Sequence, residues 1–230
     1  MESVLSLSGI FRCLRKGRNR PYFFLIFFLA PFVSQVMVMT WTTWRGPVAF
    51  VSDPVQVVWG NLEFATPILL EKDGYVWRMY PRADYQIEAR VLHSREYDDW
   101  QAIFSPVDVA LGWGKISDPA VDRWINWNQD GRWYHYKWSL DGPVTGSYIS
   151  EHSANVHMIP ASENLAAVLR ELKPNDVVKM EGMLVDVEAG AVDQPELQTF
   201  QTSLTRLDIG DASCEILYVH LLEVDGETYR

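Results

Sequence analysis

The alternation of apolar and polar residues is the clearest structural signal in the chain, and it indicates strands. Tyr85–Val91 alternates without error, which is typical of a strand with one face in solvent and the other in a core. Shorter aromatic or β-branched runs at Val55–Leu62 and Tyr75–Tyr80, separated by the turn signal Lys72-Asp73-Gly74, predict further strands of a meander. A strand-rich domain is therefore expected over residues 55–230.

Helical signals are confined to two segments. Ser117-Asp118-Pro119 supplies an N-cap and a proline for the first turn, and predicts a helix that carries Val121, Trp124 and Ile125 on one face and ends near residue 128. The second segment follows Pro160-Ala161-Ser162, where apolar residues recur at helical spacing. They are Leu165, Val168, Leu169 and Leu172.

The C-terminal part continues with strand signals. Val177–Val187 predicts a long strand with Gly182 in its middle, a place for a bulge or a sharp bend. Phe200–Leu204 and Glu215–Val224 predict two more strands. A short helix that feeds a long, glycine-containing strand is typical of small closed barrels. The expected fold class is α+β, with an OB-like small barrel and two or so helices after one N-terminal transmembrane helix.

The N-terminal region has a different pattern. Tyr22–Met39 contains no charged residue, follows a cluster of five basic residues, and would span about 27 Å as a helix. A cleaved signal peptide is the alternative, although no small-x-small cleavage site follows its apolar stretch. The expected organisation is a basic cytoplasmic segment (1–20), a signal-anchor helix (21–41), a linker (42–54) and a periplasmic domain (55–230) at the bacterial inner membrane, with membrane contact through residues 22–39.

Charge and motif content narrow the function. Residues 21–230 carry 15 positive and 29 negative charges, a net charge of −14, so phosphate neutralisation on nucleic acid is not expected. The chain has no C-x-x-C, H-E-x-x-H, G-x-S-x-G, Walker or G-x-G-x-x-G pattern. Cys13 and Cys214 are its two cysteines, too few for a disulfide scaffold. No cofactor is expected.

Four stretches resemble a group of single-pass bacterial envelope proteins. These are DVALGWGKISD (108–118), RWYHYKW (132–138), SANVHMIPA (153–161) and TSLTRLDIGDASCEILYV (202–219). The resemblance covers about half of the chain. It implies a topology and a compartment, and no activity.

Aromatic residues are dense between Trp113 and Trp138, which is typical of a core. Arg132–Leu140 predicts an aromatic strand, in which Trp133, His135 and Lys137 share one face. If the other face is buried, these three side chains form a candidate binding surface for an envelope protein or a cell-wall glycan.

Candidate chemistry centres on Ser153–His157 and on Cys214, the single cysteine of the expected periplasmic domain. We expect Asn155 and His157 to bond nearby backbone groups, and Cys214 to be a small buried hydrophobe. One alternative pairs Cys214 or Ser153, as a nucleophile, with His157. Its orienting carboxylate would be Asp108, Asp208 or Asp211.

A metal held by His152 and His157, with Glu151 or a distant Asp, is a second alternative, although their spacing suits neither a helix nor a strand. The function expected from the sequence is a non-catalytic, membrane-anchored binding or assembly module of the envelope. The competing hypothesis is an envelope hydrolase that uses the Ser153–His157 region. The two hypotheses differ in whether His157, Cys214 and a carboxylate converge in a pocket.

Overall fold

The computed structural model of the protein describes residues 53–59, 66–72, 74–191, 197–205 and 213–230, and strands hold 55% of them. The strands are β1 (Val55–Val58), β2 (Ile68–Lys72), β3 (Tyr75–Glu96), β4 (Val107–Gly112), β5 (Ile125–Asp130), β6 (Trp133–Trp138), β7 (Ser153–Pro160), β8 (Val177–Ala191), β9 (Gln198–Phe200), β10 (Glu215–Val224) and β11 (Glu227–Tyr229). The helices are α1 (Pro119–Asp122), α2 (Gly146–Glu151) and α3 (Glu163–Glu171), with 3₁₀ turns at Trp100–Ile103 and Gly114–Ser117.

Five of these strands close into a barrel. β3 pairs with β4, β4 with β7, β7 with β10, β10 with β8, and β8 returns to β3. The β7–β10 pair is parallel, whereas the other four are antiparallel. Helix α3 connects β7 to β8, and its Leu165 and Leu169 are buried in the barrel core. This arrangement is the five-stranded barrel of the OB type.

Alternation along each barrel strand separates an inner from an outer face. On β4, Val107, Val109 and Leu111 belong to the barrel core, so Asp108 and Ala110 point outwards. These outward residues are nevertheless buried, because the β5–β6 hairpin and its aromatic side chains pack against the outside of the barrel. Polar side chains on this outer face are therefore shielded from water.

Strand β3 is 22 residues long and serves two cores. Its second half lines the barrel, while its first half and the second half of β8 form a separate core around Trp77. The register shifts at Arg82, between Pro81 and Ala83, where the strand passes from one core to the other. The two strands predicted at Tyr75–Tyr80 and Tyr85–Val91 are parts of this single strand.

The predicted helix at Ser117-Asp118-Pro119 starts as expected but ends early. Asp118 accepts a hydrogen bond from the Ala120 amide and caps α1, which ends at Asp122. Ile125 begins β5, since Ile125 and Trp127 pair across the hairpin with aromatic residues of β6 and this packing outweighs the helical pattern.

Helix α3 and strands β6, β8 and β10 lie where the sequence predicted them. The predicted strand Phe200–Leu204 is displaced, because pairing with β8 ends at Phe200.

The predicted α+β class with a membrane helix is wrong, since the described part of the chain is mostly β, with three short helices. Among the described residues, no helix is both long and apolar enough to cross a membrane. The expected span at 22–39, and with it segments 1–20 and 21–41, lies outside the described residues.

Candidate functional site

Three adjacent barrel strands bring Asp108, His157 and Cys214 together. Asp108 on β4 and His157 on β7 are directly paired, so their side chains project side by side from the outer face. On the other side of β7, β10 runs parallel with Glu215 opposite Val156. Cys214, one residue before β10, therefore lies beside Asn155 and within reach of His157.

The three side chains form a row with the imidazole in the middle. His157 Nδ1 lies 2.9 Å from Asp108 Oδ1. The Cys214 thiol is also within hydrogen-bonding reach of this imidazole, and Nε2 is the ring nitrogen left for it. Burial alone would lower the pKa of His157, but the hydrogen bonds to Asp108 and Cys214 outweigh it and raise the pKa to about 9. A charged imidazolium therefore faces the sulfur at neutral pH.

Arg132 holds Asp108 in place. Its Nη1 donates to Asp108 Oδ1 at 3.1 Å and to the Ser105 carbonyl at 2.8 Å, and its Nε donates to Asp99 Oδ2 at 3.0 Å. The guanidinium also lies over the Tyr97 ring, 4.0 Å from the centroid. Asp108 is fully buried, and Arg132 and His157 both bond its Oδ1, whereas its Oδ2 has no hydrogen-bond partner among the described residues. The two partners therefore offset the loss of water around the charge through one oxygen only.

Arg132 has a strained backbone conformation, which the contacts of its side chain stabilise. Gly131 and Arg132 form the two-residue turn of the β5–β6 hairpin and have φ values of 57° and 71°. Both positions need positive φ in this turn type. Glycine adopts positive φ without strain, whereas arginine does not. The hydrogen bonds of its guanidinium to Asp99 lower the pKa of that carboxyl, as expected for an ion pair that fixes the hairpin tip beside the site.

The row opens onto a cleft of about 640 Å³. Its walls come from the β3–β4 connection, the tip of the β5–β6 hairpin and the segment around β9. The lining residues are Gln101, Gly131, Arg132, Trp133, His157, Thr199, Phe200, Gln201, Cys214 and Ile216. Arg132 and His157 are the cationic side chains of this lining, and the side chains of Gln101, Thr199 and Gln201 are polar and uncharged. Cys214 is partly exposed rather than the buried hydrophobe expected from its sequence context.

The other predicted binding residues are placed as follows. Of the Trp133, His135 and Lys137 set, Trp133 lines the cleft, whereas His135 and Lys137 lie exposed farther along β6. Asn155 is buried and donates to the Arg132 carbonyl at 3.1 Å, which is the kind of backbone contact expected for it. His157 bonds a carboxylate and a thiol instead of a backbone group.

Ser153 and His152 lie outside the row. The Ser153 hydroxyl is buried and donates to the Ile149 carbonyl at 2.6 Å, so it is not placed as a nucleophile. His152 stacks on Tyr148 at 3.8 Å between ring centroids, and its Nδ1 lies 3.0 Å from the Tyr148 carbonyl.

Within the described part of the chain, no group of three His, Cys, Asp or Glu side chains is arranged to hold a metal ion. The alternative carboxylates Asp208 and Asp211 lie outside the described residues.

Sequence reasoning missed Arg132, Asp99 and Gln129. Arg132 was interpreted only as the first residue of the aromatic strand Arg132–Leu140, and Gln129 only as part of the turn before it. Asp99 lies in a connection without a periodic signal. The signal that could have pointed to Arg132 was the tight turn at Asp130-Gly131-Arg132. Arginine is an unusual residue at a turn position that needs positive φ.

No protein-family model, curated protein or solved structure was found to match this chain.

Proposed function

We propose that this protein is a thiol-dependent enzyme of the acyl-transfer class, with Cys214 as the nucleophile. The observation that carries the proposal is the row Cys214–His157–Asp108, which faces the cleft. A cysteine beside an imidazole that is oriented by a carboxylate is an arrangement that activates a nucleophile. Of the two functions expected from the sequence, this arrangement favours the hydrolase.

The chemistry follows from the order of the groups. The Cys214 sulfur attacks the carbonyl carbon of an ester or amide, while the thiol proton resides on His157. His157 then gives this proton to the leaving alcohol or amine, which departs as the carbon–oxygen or carbon–nitrogen bond breaks. Water, deprotonated by His157, hydrolyses the thioester and frees the thiol. Asp108 keeps Nδ1 protonated throughout and so holds Nε2 towards the sulfur.

The substrate class follows from the cleft lining. Trp133 and Phe200 offer aromatic surface, and Gln101, Thr199 and Gln201 offer hydrogen-bonding groups without charge. A neutral acyl compound with both apolar and hydrogen-bonding parts fits this composition.

The test uses the full chain with p-nitrophenyl acetate as the probe. We expect a burst of p-nitrophenol and an acetyl group on Cys214, detected by peptide mass spectrometry. Cys214→Ser and His157→Gln should lower the burst rate at least about a hundredfold, because each removes a member of the nucleophile–base pair.

Ser153→Ala is the matched control, since Ser153 lies on the same face of β7 but outside the row. It should retain the burst. Acetylation that is unchanged in Cys214→Ser, or that maps to other residues, would exclude Cys214 as the nucleophile.

A second candidate, non-catalytic binding of a neutral glycan, is favoured by the aromatic residues beside the cleft. Trp100 is 37% exposed, stacks on Trp77 at 5.1 Å and lies 5.9 Å from the cleft residue Phe200. Connections at this end of OB-type barrels are used to bind oligosaccharides. Quenching of tryptophan fluorescence by soluble cell-wall fragments, without any acetylation of Cys214, would favour this candidate.

A further inference from the structure

A chain of side-chain hydrogen bonds, separate from the one through His157, leads to the Cys214 sulfur. His93 Nδ1 lies 2.8 Å from Gln129 Oε1, and Gln129 Nε2 donates to Asn155 Oδ1 at 2.6 Å. Asn155 Nδ2 then contacts the Cys214 sulfur at 3.7 Å. Gln129 and Asn155 are 0% and 1% exposed, so water does not compete for the bond between their amides.

The direction of each bond in this chain is determined. The Arg132 carbonyl can only accept, so Nδ2 of Asn155 is the atom that faces it at 3.1 Å. The Asn155 oxygen must then accept from the Gln129 amide, whose own oxygen accepts from His93. One hydrogen of Asn155 Nδ2 is thus used by Arg132, and the other is directed at the sulfur. The sulfur of Cys214 is therefore the acceptor.

A donor aimed at sulfur has a specific chemical effect. A hydrogen bond to the charged form of a group favours that form, so an amide N–H that points at Cys214 stabilises the thiolate relative to the thiol. The same bond fixes the position of the sulfur between the amide and the imidazole. Neither effect would follow from an apolar side chain of the same size.

We propose that Asn155 is a positioning residue for the reactive thiol and that Gln129 and His93 fix the orientation of its amide. This inference rests on the proposed function, in which Cys214 is the reactive group. Asn155 holds the sulfur beside His157 and stabilises its thiolate, and it touches the sulfur without taking part in proton transfer.

The test is alkylation of Cys214 by iodoacetamide as a function of pH, in the full chain with Cys13→Ser so that one thiol remains. Asn155→Leu removes the donor at similar volume. We expect it to alkylate about tenfold more slowly at neutral pH, the loss expected for one hydrogen bond to a charged group. The pH dependence of its alkylation rate should shift to higher pH, a change that general destabilisation of the fold does not produce.

Two further variants make the result interpretable. Gln129→Met leaves Asn155 in place but frees its amide, and it should show a smaller loss in the same direction. If Asn155→Leu does not fold, this variant carries the test. Ser153→Ala, a buried and hydrogen-bonded neighbour on the same strand face, should alkylate like the Cys13→Ser background.

The outcomes separate the two proposals. If every folded variant alkylates within about twofold of the background at each pH, the effect is smaller than that of one hydrogen bond to a charged group. This result would overturn the role of Asn155 and leave the proposed function unaffected. If the background itself reacts no faster than free glutathione at neutral pH, Cys214 is not an activated nucleophile, and the proposed function fails whatever the variants do.

Discussion

At the scale of single residues, the site is an arrangement of charges in which His157 is central. Arg132 and His157 supply positive charge beside the buried carboxylate of Asp108, and Asp99, which is exposed, pairs with Arg132 from the solvent side. Removing Arg132 or His157 leaves Asp108 buried with less compensation, which costs more free energy than the pair contributes. Each of these residues is therefore expected to affect stability as well as chemistry.

The raised pKa of His157 predicts a pH-dependent stability. The folded-state pKa, about 9, lies above the ordinary value of 6.5, so His157 stabilises the fold fully below about pH 6.5 and loses this contribution as pH rises through about 9. The difference in unfolding free energy between wild type and His157→Gln should therefore be largest in acid and shrink in base. Urea denaturation across this range measures it.

The control for this prediction is His135→Gln, because His135 is exposed on β6. It should change the unfolding free energy by less than about 0.5 kcal/mol at every pH. A His157→Gln difference that stays constant between about pH 6 and pH 10 would contradict the assigned charge state.

The candidate site was only partly predictable from the sequence. His157, Cys214 and Asp108 were among the candidates for the nucleophile alternative, but Asp208, Asp211 and Ser153 stood beside them. The pairing of β4 with β7 places Asp108 beside His157, and the parallel pairing of β7 with β10 places Cys214 near it. These registers join residues far apart in the chain, and local spacing carries no information about them.

At the scale of elements, the strands with strict alternation were predictable, because one buried face imposes the period of two. The α1–β5 region was not, since Trp124 and Ile125 fit a helical face as well as a strand. The cross-strand pairing of β5 with β6 decides between the two, and it depends on a partner strand. The sequence predicted a bulge or a sharp bend at Gly182, and the structure shows a close approach of two strands there.

Gly182 allows β8 and β10 to approach closely. A Cβ at this position would lie 2.1 Å from the Tyr218 carbonyl oxygen, a backbone atom that cannot turn away. Gly182→Ala should therefore lower the unfolding free energy by about 3 kcal/mol through overpacking, as measured by urea denaturation.

Glu181→Ala, the neighbouring position on β8, should cost less than about 1 kcal/mol because Glu181 is only half-buried. Equal effects of the two substitutions would show that close approach at Gly182 is not what matters.

At the scale of the whole molecule, stability is unevenly distributed between the barrel and its margins. Side chains from all five barrel strands and α3 pack in one core. Among the described strands, β1 pairs with β3 alone, and its Val55, Val57 and Val58 are each more than half exposed. A strand with few buried contacts opens locally without unfolding the barrel.

Native-state hydrogen exchange should reveal this difference. The amides of β1 that bond to β3 should exchange at least about tenfold faster than those of β4 and β7, since they need only local opening. Nuclear magnetic resonance or mass spectrometry can follow the exchange. Uniform protection across β1 and the barrel strands would contradict this picture and indicate a single cooperative unit.

The order of the barrel strands also has a consequence for biosynthesis. Strand β10 inserts between β7 and β8, and Cys214 immediately precedes it, so the last barrel strand to leave the ribosome is the one that completes the site. A nascent or prematurely terminated chain can carry the carboxylate and the imidazole but lacks the sulfur. In the proposed chemistry, the Cys214 thiol is thus synthesised together with the strand that closes the barrel around the site.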